Sequence, residues 1–291
     1  MAQSLTAARS ATVTVLVVAG SEAEAASARE TIGALQGRSP VRALVVVDRD
    51  GGWPAPALRS VVEASVRGDV PLVLWRPAGL PDASDPVLGW AEHLVVDSRT
   101  VLGGSRRPDR GDTPRPPGLG VAGVVDLAGR MPVTDLAWVA LAQWRELVAG
   151  LFDGPDRGPF LADVRHVRVQ GHEALRPLLA GWLLSRLRIP PGVVEVGPSE
   201  GLSVEVTAEH NGRQGHFSVA WSAESHLIDA RVVIGTGPPL VRRWRRDEAG
   251  PVGLLGRALA RLGWDPVYGE ALTAAVVLRA ESARRSGPGP T

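Results

Sequence analysis

One short pattern matches a known catalytic turn. Residues 197–201 read Gly-Pro-Ser-Glu-Gly, the G-x-S-x-G spacing that carries a serine nucleophile in many hydrolases. That turn needs a helix after the serine, because the helix N-terminus faces the developing oxyanion. Here residues 202–206 alternate as a strand does, and Pro198 fixes a backbone angle directly before Ser199. The pattern therefore predicts an ordinary turn between two strands, with a cryptic hydrolase built on Ser199 as a minor alternative.

A second candidate is an anion site at Gly20 and Ser21, between an apolar run and a helix-forming run. The G-x-G-x-x-G fingerprint of dinucleotide-binding turns is absent, and Glu22 and Glu24 would repel a phosphate. An ordinary strand–helix turn is favoured. A small-molecule site for a sugar phosphate or nucleotide, using Gly20, Ser21 and Arg76 at the strand ends, stays open as the alternative function.

Composition excludes several kinds of chemistry. The chain has no cysteine, and every one of its 32 basic residues is arginine. Thiol nucleophiles, cysteine-ligated metals, Schiff-base lysines and the lysine of a P-loop are therefore excluded. The six histidines form neither H-x-x-x-H nor H-E-x-x-H. We predict no catalytic residue, no metal site and no cofactor.

Arginine beside tryptophan is the remaining signal. Residues 242–246 read Arg-Arg-Trp-Arg-Arg, and these two residue types are enriched at the centres of protein interfaces. The run would suit an acidic partner, a phosphorylated ligand or single-stranded nucleic acid, but 31 acidic residues leave a net charge of +1, which argues against nucleic acid. The predicted partner-interface residues are Trp75, Arg76, Asp135, Trp138, Arg145, Arg242, Arg243 and Trp244.

The first part of the chain alternates strands and helices. Apolar β-branched runs predict strands at 13–19, 41–48, 70–75 and 93–97, and helix formers predict helices at 22–35 and 57–67. This alternation predicts a small, mostly parallel, three-layer α/β domain over residues 1–102. Residues 103–120 are rich in Arg, Pro and Gly and predict a linker or exposed loop.

The second part predicts an α+β domain with a mainly antiparallel sheet, over residues 121–281, followed by a frayed tail at 282–291. Asn211-Gly212 predicts a hairpin, and Asp265 predicts an N-cap with Pro266 in the first helical turn. The predicted helices cover 134–152, 173–187, 252–262 and 266–280, and the predicted strands cover 164–170, 193–196, 202–210, 215–222, 227–234 and 240–244.

Neither a secretory signal nor an apolar stretch of membrane-spanning length is visible in this sequence. We expect a cytoplasmic protein with no membrane partner.

Four sequence segments resemble the glucose-6-phosphate dehydrogenase assembly protein family, OpcA, in order and approximate spacing. They are Pro-Leu-Val-Leu-Trp-Arg-Pro at 71–77, Thr-Asp-Leu-Ala-Trp at 134–138 followed by Gln-Trp-Arg at 143–145, Leu-Ala-Gly-Trp-Leu at 179–183 followed by Ser-Arg at 185–186, and Leu-Gly-Trp-Asp-Pro-Val-Tyr at 262–268 followed by Ala-Leu at 271–272. The family's division into an α/β and an α+β domain agrees with the one predicted here.

The resemblance implies a non-catalytic assembly factor and allosteric activator of glucose-6-phosphate dehydrogenase, which would support the oxidative pentose phosphate pathway and NADPH supply. The chain departs from the family before the first strand and between residues 50 and 60, where it is shorter. We therefore expect a divergent member with a shortened N-terminal domain.

Overall fold

The computed structural model describes residues 13–47, 59–60, 62–63, 70–82, 84–102 and 121–286. The predicted linker at 103–120 and most of the predicted helix at 57–67 lie outside these ranges. Residues 59, 60, 62 and 63 of that helix are described, and they are helical.

The elements follow one another in this order: β1 (Val13–Ala19), α1 (Glu22–Gln36), β2 (Val41–Val47), β3 (Leu72–Trp75), β4 (His93–Val96), α2 (Ser98–Leu102), α3 (Val121–Ala128), β5 (Val133–Asp135), α4 (Leu136–Ala140), α5 (Ala142–Gly150), β6 (Val164–Gly171), α6 (Arg176–Leu187), β7 (Val194–Pro198), β8 (Ser203–His210), β9 (Arg213–Ser222), β10 (Leu227–Ile234), β11 (Leu240–Arg245), α7 (Pro251–Leu259) and α8 (Pro266–Ser286). Short 3₁₀ helices cover Pro86–Trp90, Gly158–Asp163 and Pro191–Val193.

The chain forms two compact units. The first comprises Met1–Thr100, Asp126–Leu136 and Ala249–Trp264, and the second comprises Val101–Val125, Ala137–Glu248 and Asp265–Thr291. This division differs from the predicted one, in which everything from residue 121 to 281 formed the C-terminal domain. Two later segments return to the first unit because each adds an element to it, the strand β5 and the helix α7.

The first unit is built on a five-stranded parallel sheet with the order β2-β1-β3-β4-β5. Every residue of β1, β3 and β4 is buried, as their continuous apolar sequences predict. Helix α7 packs on α1, where a Cβ on Gly256 would lie 3.2 Å from Leu35 Cδ1. The parallel α/β prediction for this region is confirmed.

The sequence prediction was wrong about the start of the helix at 134. Thr134 and Asp135 belong to β5, where Val133 pairs with Leu94 and Asp135 with Val96 of β4. The helix that follows is interrupted at Leu141, which separates α4 from α5. Thr134 and Asp135 therefore complete the sheet of the first unit instead of capping a helix of the second.

The second unit contains a six-stranded sheet with the order β11-β10-β9-β8-β6-β7, antiparallel except for the pair β6 and β7. Asn211 and Gly212 both have positive φ, 51° and 71°, as the predicted hairpin requires. Alternate residues of the strands are buried, for example Val167, Val206 and Phe217 in one cross-strand row. The prediction of a mainly antiparallel α+β region is confirmed.

Helices α6 and α8 of this unit cross at very short range. A Cβ on Gly181 would lie 2.1 Å from the carbonyl oxygen of Ala271, so only glycine fits at the crossing. Arg186 of α6 also forms an ion pair with Glu270 of α8. Helix α8 continues to Ser286, beyond the predicted end at 280 and into the predicted tail.

Within the described residues, no helix has both the length and the apolar character needed to span a membrane.

Candidate interaction surface

Trp138, a predicted interface residue, is buried in the second unit, with only 4% of its surface exposed. Its indole Nε1 donates to Asp265 Oδ2 at 2.9 Å, and the guanidinium carbon of Arg145 lies 3.5 Å from its ring centroid. Arg145 Nη1 also donates to the carbonyl oxygen of Trp138 at 2.9 Å. Asp265 accepts in addition from the backbone N–H of Tyr268, which confirms it as the cap of α8. These contacts engage Trp138, which is buried, and Arg145, which is half-buried, within the second unit.

Asp135 is fully buried at the end of β5, and its Oδ1 accepts from the backbone N–H of Ser98 at 3.0 Å. A carboxylate at the end of one parallel strand thus holds the turn that follows the neighbouring strand. Asp135 therefore positions the turn at Ser98 within the first unit, and its full burial leaves it no exposed surface there.

Trp75 and Arg76 end strand β3 in the first unit. Trp75 is buried, and its Nε1 has no hydrogen-bond partner among the residues that the structure describes. Arg76 Nη2 donates to Asp85 Oδ2 at 3.2 Å, and its side chain is only 16% exposed. Burial removes Trp75 from the predicted interface, and the internal ion pair largely removes Arg76.

The carboxyl edge of the parallel sheet is where a small-molecule site would be expected in this strand order. The backbone N–H of Gly20 there donates to Glu24 Oε2 at 2.9 Å, while Ser21 Oγ accepts from the N–H of Glu24 at 3.2 Å. The chain's own carboxylate thus occupies the position that a phosphate would take.

Arg99, at the same edge of the sheet, also binds a carboxylate of the chain. Arg99 donates from Nε and Nη2 to both carboxylate oxygens of Asp97, at 2.8 and 2.7 Å. That hydrogen-bonded carboxylate raises the pKa of Arg99. Internal pairing of Gly20, Ser21, Arg76 and Arg99 therefore speaks against the sugar phosphate or nucleotide site.

Arg242, Arg243 and Trp244 lie on β11, the outermost strand of the six-stranded sheet. Trp244 is half-buried opposite Ile228, which in turn pairs with Trp221. Arg243 Nε binds Asp229 Oδ1 at 3.2 Å but remains 64% exposed. Arg242 is exposed, as are Leu240 and Val241 before it. Of the predicted interface residues, Arg242 and Arg243 are the ones that the structure leaves accessible.

Gln143, which the sequence analysis did not single out as a site residue, holds one end of β11. Its Nε2 donates to the carbonyl oxygen of Arg245 and its Oε1 accepts from the N–H of Asp247, both at 2.8 Å. The side-chain amide thereby imitates the peptide group of a neighbouring strand. No sequence pattern indicates this role, because it depends on a contact between residues about a hundred positions apart.

Trp264 is a second surface feature that the prediction missed. The residue is 62% exposed, more than any other large apolar residue in the described part of the chain. The preceding Gly263 has φ of +132°, and its N–H lies 3.3 Å from His93 Nδ1. Burial lowers the pKa of His93 to about 4, so its ring is neutral near pH 7 and accepts at Nδ1 while Nε2 donates to Thr134 Oγ1 at 2.8 Å. The exposed tryptophan therefore follows a backbone position that is held from the interior of the first unit.

The serine motif has the structure predicted for it. Gly197 and Pro198 belong to β7, Glu200 and Gly201 form a bend, and β8 follows at Ser203. A strand in place of a helix rules out the nucleophile turn at Ser199. Among the described residues, no three His, Asp or Glu side chains cluster in a way that could hold a metal ion.

Comparison with known proteins assigns the second half of the chain. Residues 131–272 match the family model for OpcA, described as the C-terminal domain of a glucose-6-phosphate dehydrogenase subunit. This region, just under half of the chain, is similar to the OpcA family. This confirms the resemblance on which the sequence analysis relied.

Two curated relatives are named OxPP cycle protein OpcA. The protein from Nostoc punctiforme is 32% identical over 137 residues, which are 45% of this chain and 27% of that protein. The protein from Synechocystis sp. is 32% identical over 74 residues, which are 22% of this chain and 16% of that protein. The matched stretches thus span about a quarter or less of the relatives' length. The crystal structure of S. aureus homoserine dehydrogenase aligns with 97% of this chain and 78% of that chain. The TM-score of 0.27 and the identity of 8% are too low to indicate a shared fold.

Several residues of the OpcA-like segments have a structural role in this fold. Trp138 and Arg145 form the buried stack, Gly181 provides the helix crossing, and Asp265 caps α8. These residues shape the fold of the matched region. The accessible features, β11 and Trp264, lie in the same matched stretch.

Proposed function

We propose that this chain is a non-catalytic protein that binds glucose-6-phosphate dehydrogenase and promotes its assembly into the active oligomer. The observation that carries the proposal is the match of residues 131–272 to the family model described as a subunit domain of that dehydrogenase. The relatives' place in the OxPP cycle agrees with it.

Activation follows if the chain binds the active oligomer more tightly than the inactive form, because a ligand with equal affinity for both shifts neither population. A tenfold difference in affinity corresponds to about 1.4 kcal/mol. The accessible arginines of β11 provide one charged surface for such differential contact.

The test is a titration of the purified chain into the dehydrogenase encoded by the same genome. Light scattering reports the mass of the complex, and absorbance of NADPH reports the rate. We expect a saturable rise in rate together with a complex of defined mass, and no NADPH formation by the chain alone.

Two outcomes would contradict the proposal. A complex without any change in rate or oligomer would leave binding but remove the assembly role. NADPH formation by the chain without added dehydrogenase would contradict the non-catalytic assignment.

A further inference from the structure

The outer edge of β11 is open over part of its length. Strand β11 pairs with β10 alone among the described strands, so its other edge has no strand partner there. Backbone groups of alternate residues in an antiparallel strand point to the same side. Since the carbonyl oxygen of Arg245 points away from β10 to Gln143, the backbone groups of Arg243 and Val241 point outward as well.

At both ends of this stretch, the outward backbone groups cannot all bind a further strand. Gln143 occupies the outward groups of Arg245 and Asp247 at one end. At the other end, Pro239 has no N–H to donate. The outward N–H and C=O groups of Val241 and Arg243 remain, which is enough to receive a short extended segment in β-augmentation.

The side chains of this edge select the chemistry of such a segment. Arg242, Arg243 and Arg245 are exposed, and Arg246 lies beside them with its guanidinium carbon 5.7 Å from the Trp221 ring centroid. Among the described residues, only Arg243 of the three on the strand forms an ion pair, with Asp229. An incoming strand with carboxylates would find unpaired cations on either side of the open backbone.

A second copy of the chain is a poor occupant. Antiparallel pairing of two β11 edges would bring the two arginine runs against each other, and like charges across a strand pair are destabilising. Leu240 and Val241, each about 45% exposed, nevertheless offer apolar contact at the same edge. The edge thus combines open hydrogen bonds, apolar area and positive charge, and its charge opposes self-association.

We infer that the outer edge of β11, at Val241 and Arg243, receives an acidic extended segment of the partner protein as an added strand. This inference rests on the proposed function, which names the dehydrogenase as that partner. It adds the site, the mode of binding and the charge of the bound segment.

The variant Val241→Pro tests the backbone contact directly. Proline removes the outward N–H while the bonds that β10 makes to its neighbours stay in place, a position where edge strands tolerate proline. The matched control is Val241→Thr, which keeps the N–H, the β-branched shape and nearly the same volume. Binding of the dehydrogenase is measured for both variants and for the unchanged chain, with melting temperatures recorded alongside.

We expect Val241→Pro to weaken binding at least tenfold and Val241→Thr to change it less than twofold. Equal binding by the two variants would overturn the strand-addition site while leaving the proposed function intact. No complex with the unchanged chain would overturn both.

A second measurement needs no variant and covers the case in which Val241→Pro fails to fold. Affinity of the unchanged chain is compared at about 50 and 500 mM NaCl, because added salt screens exposed charges. We expect at least a tenfold loss of affinity at the higher concentration. An affinity independent of salt would contradict an acidic segment on the arginines of β11.

Discussion

The carboxyl edge of the parallel sheet and the outer edge of β11 both present arginines, yet the two regions use them differently. Arg76 and Arg99 in the first unit are paired with Asp85 and Asp97. On β11, Arg242 is exposed, and no ion pair is found for it among the described residues.

Whether an arginine can contact a partner protein depends more on its ion pairs within the chain than on its residue type. A carboxylate of the same chain neutralises an arginine locally and occupies its N–H donors. An exposed arginine without such a partner can bind a carboxylate of another protein. The classical ligand edge of the α/β fold is closed by the chain's own carboxylates, and the accessible chemistry lies on the edge of the antiparallel sheet.

The largest effect is expected from Gly181→Ala, which attacks the fold of the second unit. The added Cβ would meet the carbonyl oxygen of Ala271 at 2.1 Å, so α6 and α8 must separate. We expect the free energy of unfolding to fall by about 3 kcal/mol, the upper range for overpacking. Chemical denaturation measures it, and binding of the dehydrogenase should weaken as well.

The matched control for this variant is Gly33→Ala in α1 of the first unit. A Cβ there would have no atom within 4 Å, and alanine favours the helix by about 0.5–1 kcal/mol. A loss of stability in Gly33→Ala similar to that in Gly181→Ala would show that the close helix crossing is not the cause.

The next largest effect concerns the charge of β11. The double variant Arg242→Glu/Arg245→Glu reverses two exposed charges and leaves the pair between Arg243 and Asp229 in place. We expect binding of the dehydrogenase to weaken about 30-fold, which corresponds to about 2 kcal/mol. Isothermal titration calorimetry measures it.

A charge-matched control separates this effect from a change in net charge. Arg279→Glu/Arg285→Glu makes the same change in charge on the exposed surface of α8. Binding of this control should stay within threefold. Equal losses in the two double variants would mean that β11 has no special role.

An intermediate effect is expected from acid, because His93 is buried and neutral in the folded state. Its pKa is lowered by burial to about 4, whereas an unfolded histidine has a pKa of 6.5. The unfolded state therefore binds the extra proton first, and the free energy of unfolding decreases as the pH falls from about 6.5 to about 4. The slope is at most about 1.4 kcal/mol per pH unit.

Two variants isolate this contribution. Denaturant titrations at several pH values should show a shallower decrease in His93→Gln than in the unchanged chain, and His216→Gln, whose histidine is exposed on β9, serves as the control for loss of an imidazole. A pH dependence of His93→Gln identical to that of the unchanged chain would contradict a buried neutral imidazole holding Gly263.

The smallest effect distinguishes two buried tryptophans, one in each unit. Trp138→Phe removes the hydrogen bond to Asp265, while Trp75→Phe removes an N–H that has no partner in the described part of the chain. Both lose volume, so the difference between them reports the hydrogen bond. We expect Trp138→Phe to cost about 1 kcal/mol more in thermal denaturation. An equal cost would place the indole of Trp138 outside the bond to Asp265.

The sequence predicts most of the fold because its strongest signals are local. The β-branched run at Val13–Ala19 and the turn at Asn211-Gly212 each specify their own element. Strand β5 has only three residues, which is too short for a recognisable strand pattern. The place of α7 in the first unit depends on its contact with α1, which is distant in sequence. Those two features could not be predicted, and so the domain boundaries differ.

The candidate surface was predictable only in part. The arginine run of β11 is visible as a composition signal, and the structure leaves Arg242 and Arg243 accessible. Trp138 has the residue type of an interface centre, but it is buried and donates to Asp265, 127 positions away. The hydrogen bond of Gly263 to His93, next to Trp264, and the contacts of Gln143 with β11 likewise join distant residues that a single sequence does not bring together.

The most direct test of the account is amide hydrogen exchange of the chain alone and in complex with the dehydrogenase. If β11 receives the partner, the peptide that covers Leu240–Arg245 gains protection in the complex, with little change at residues 19–22, 75–77 and 97–99. Protection at the carboxyl edge of the parallel sheet, with β11 exchanging as in the free chain, would contradict it.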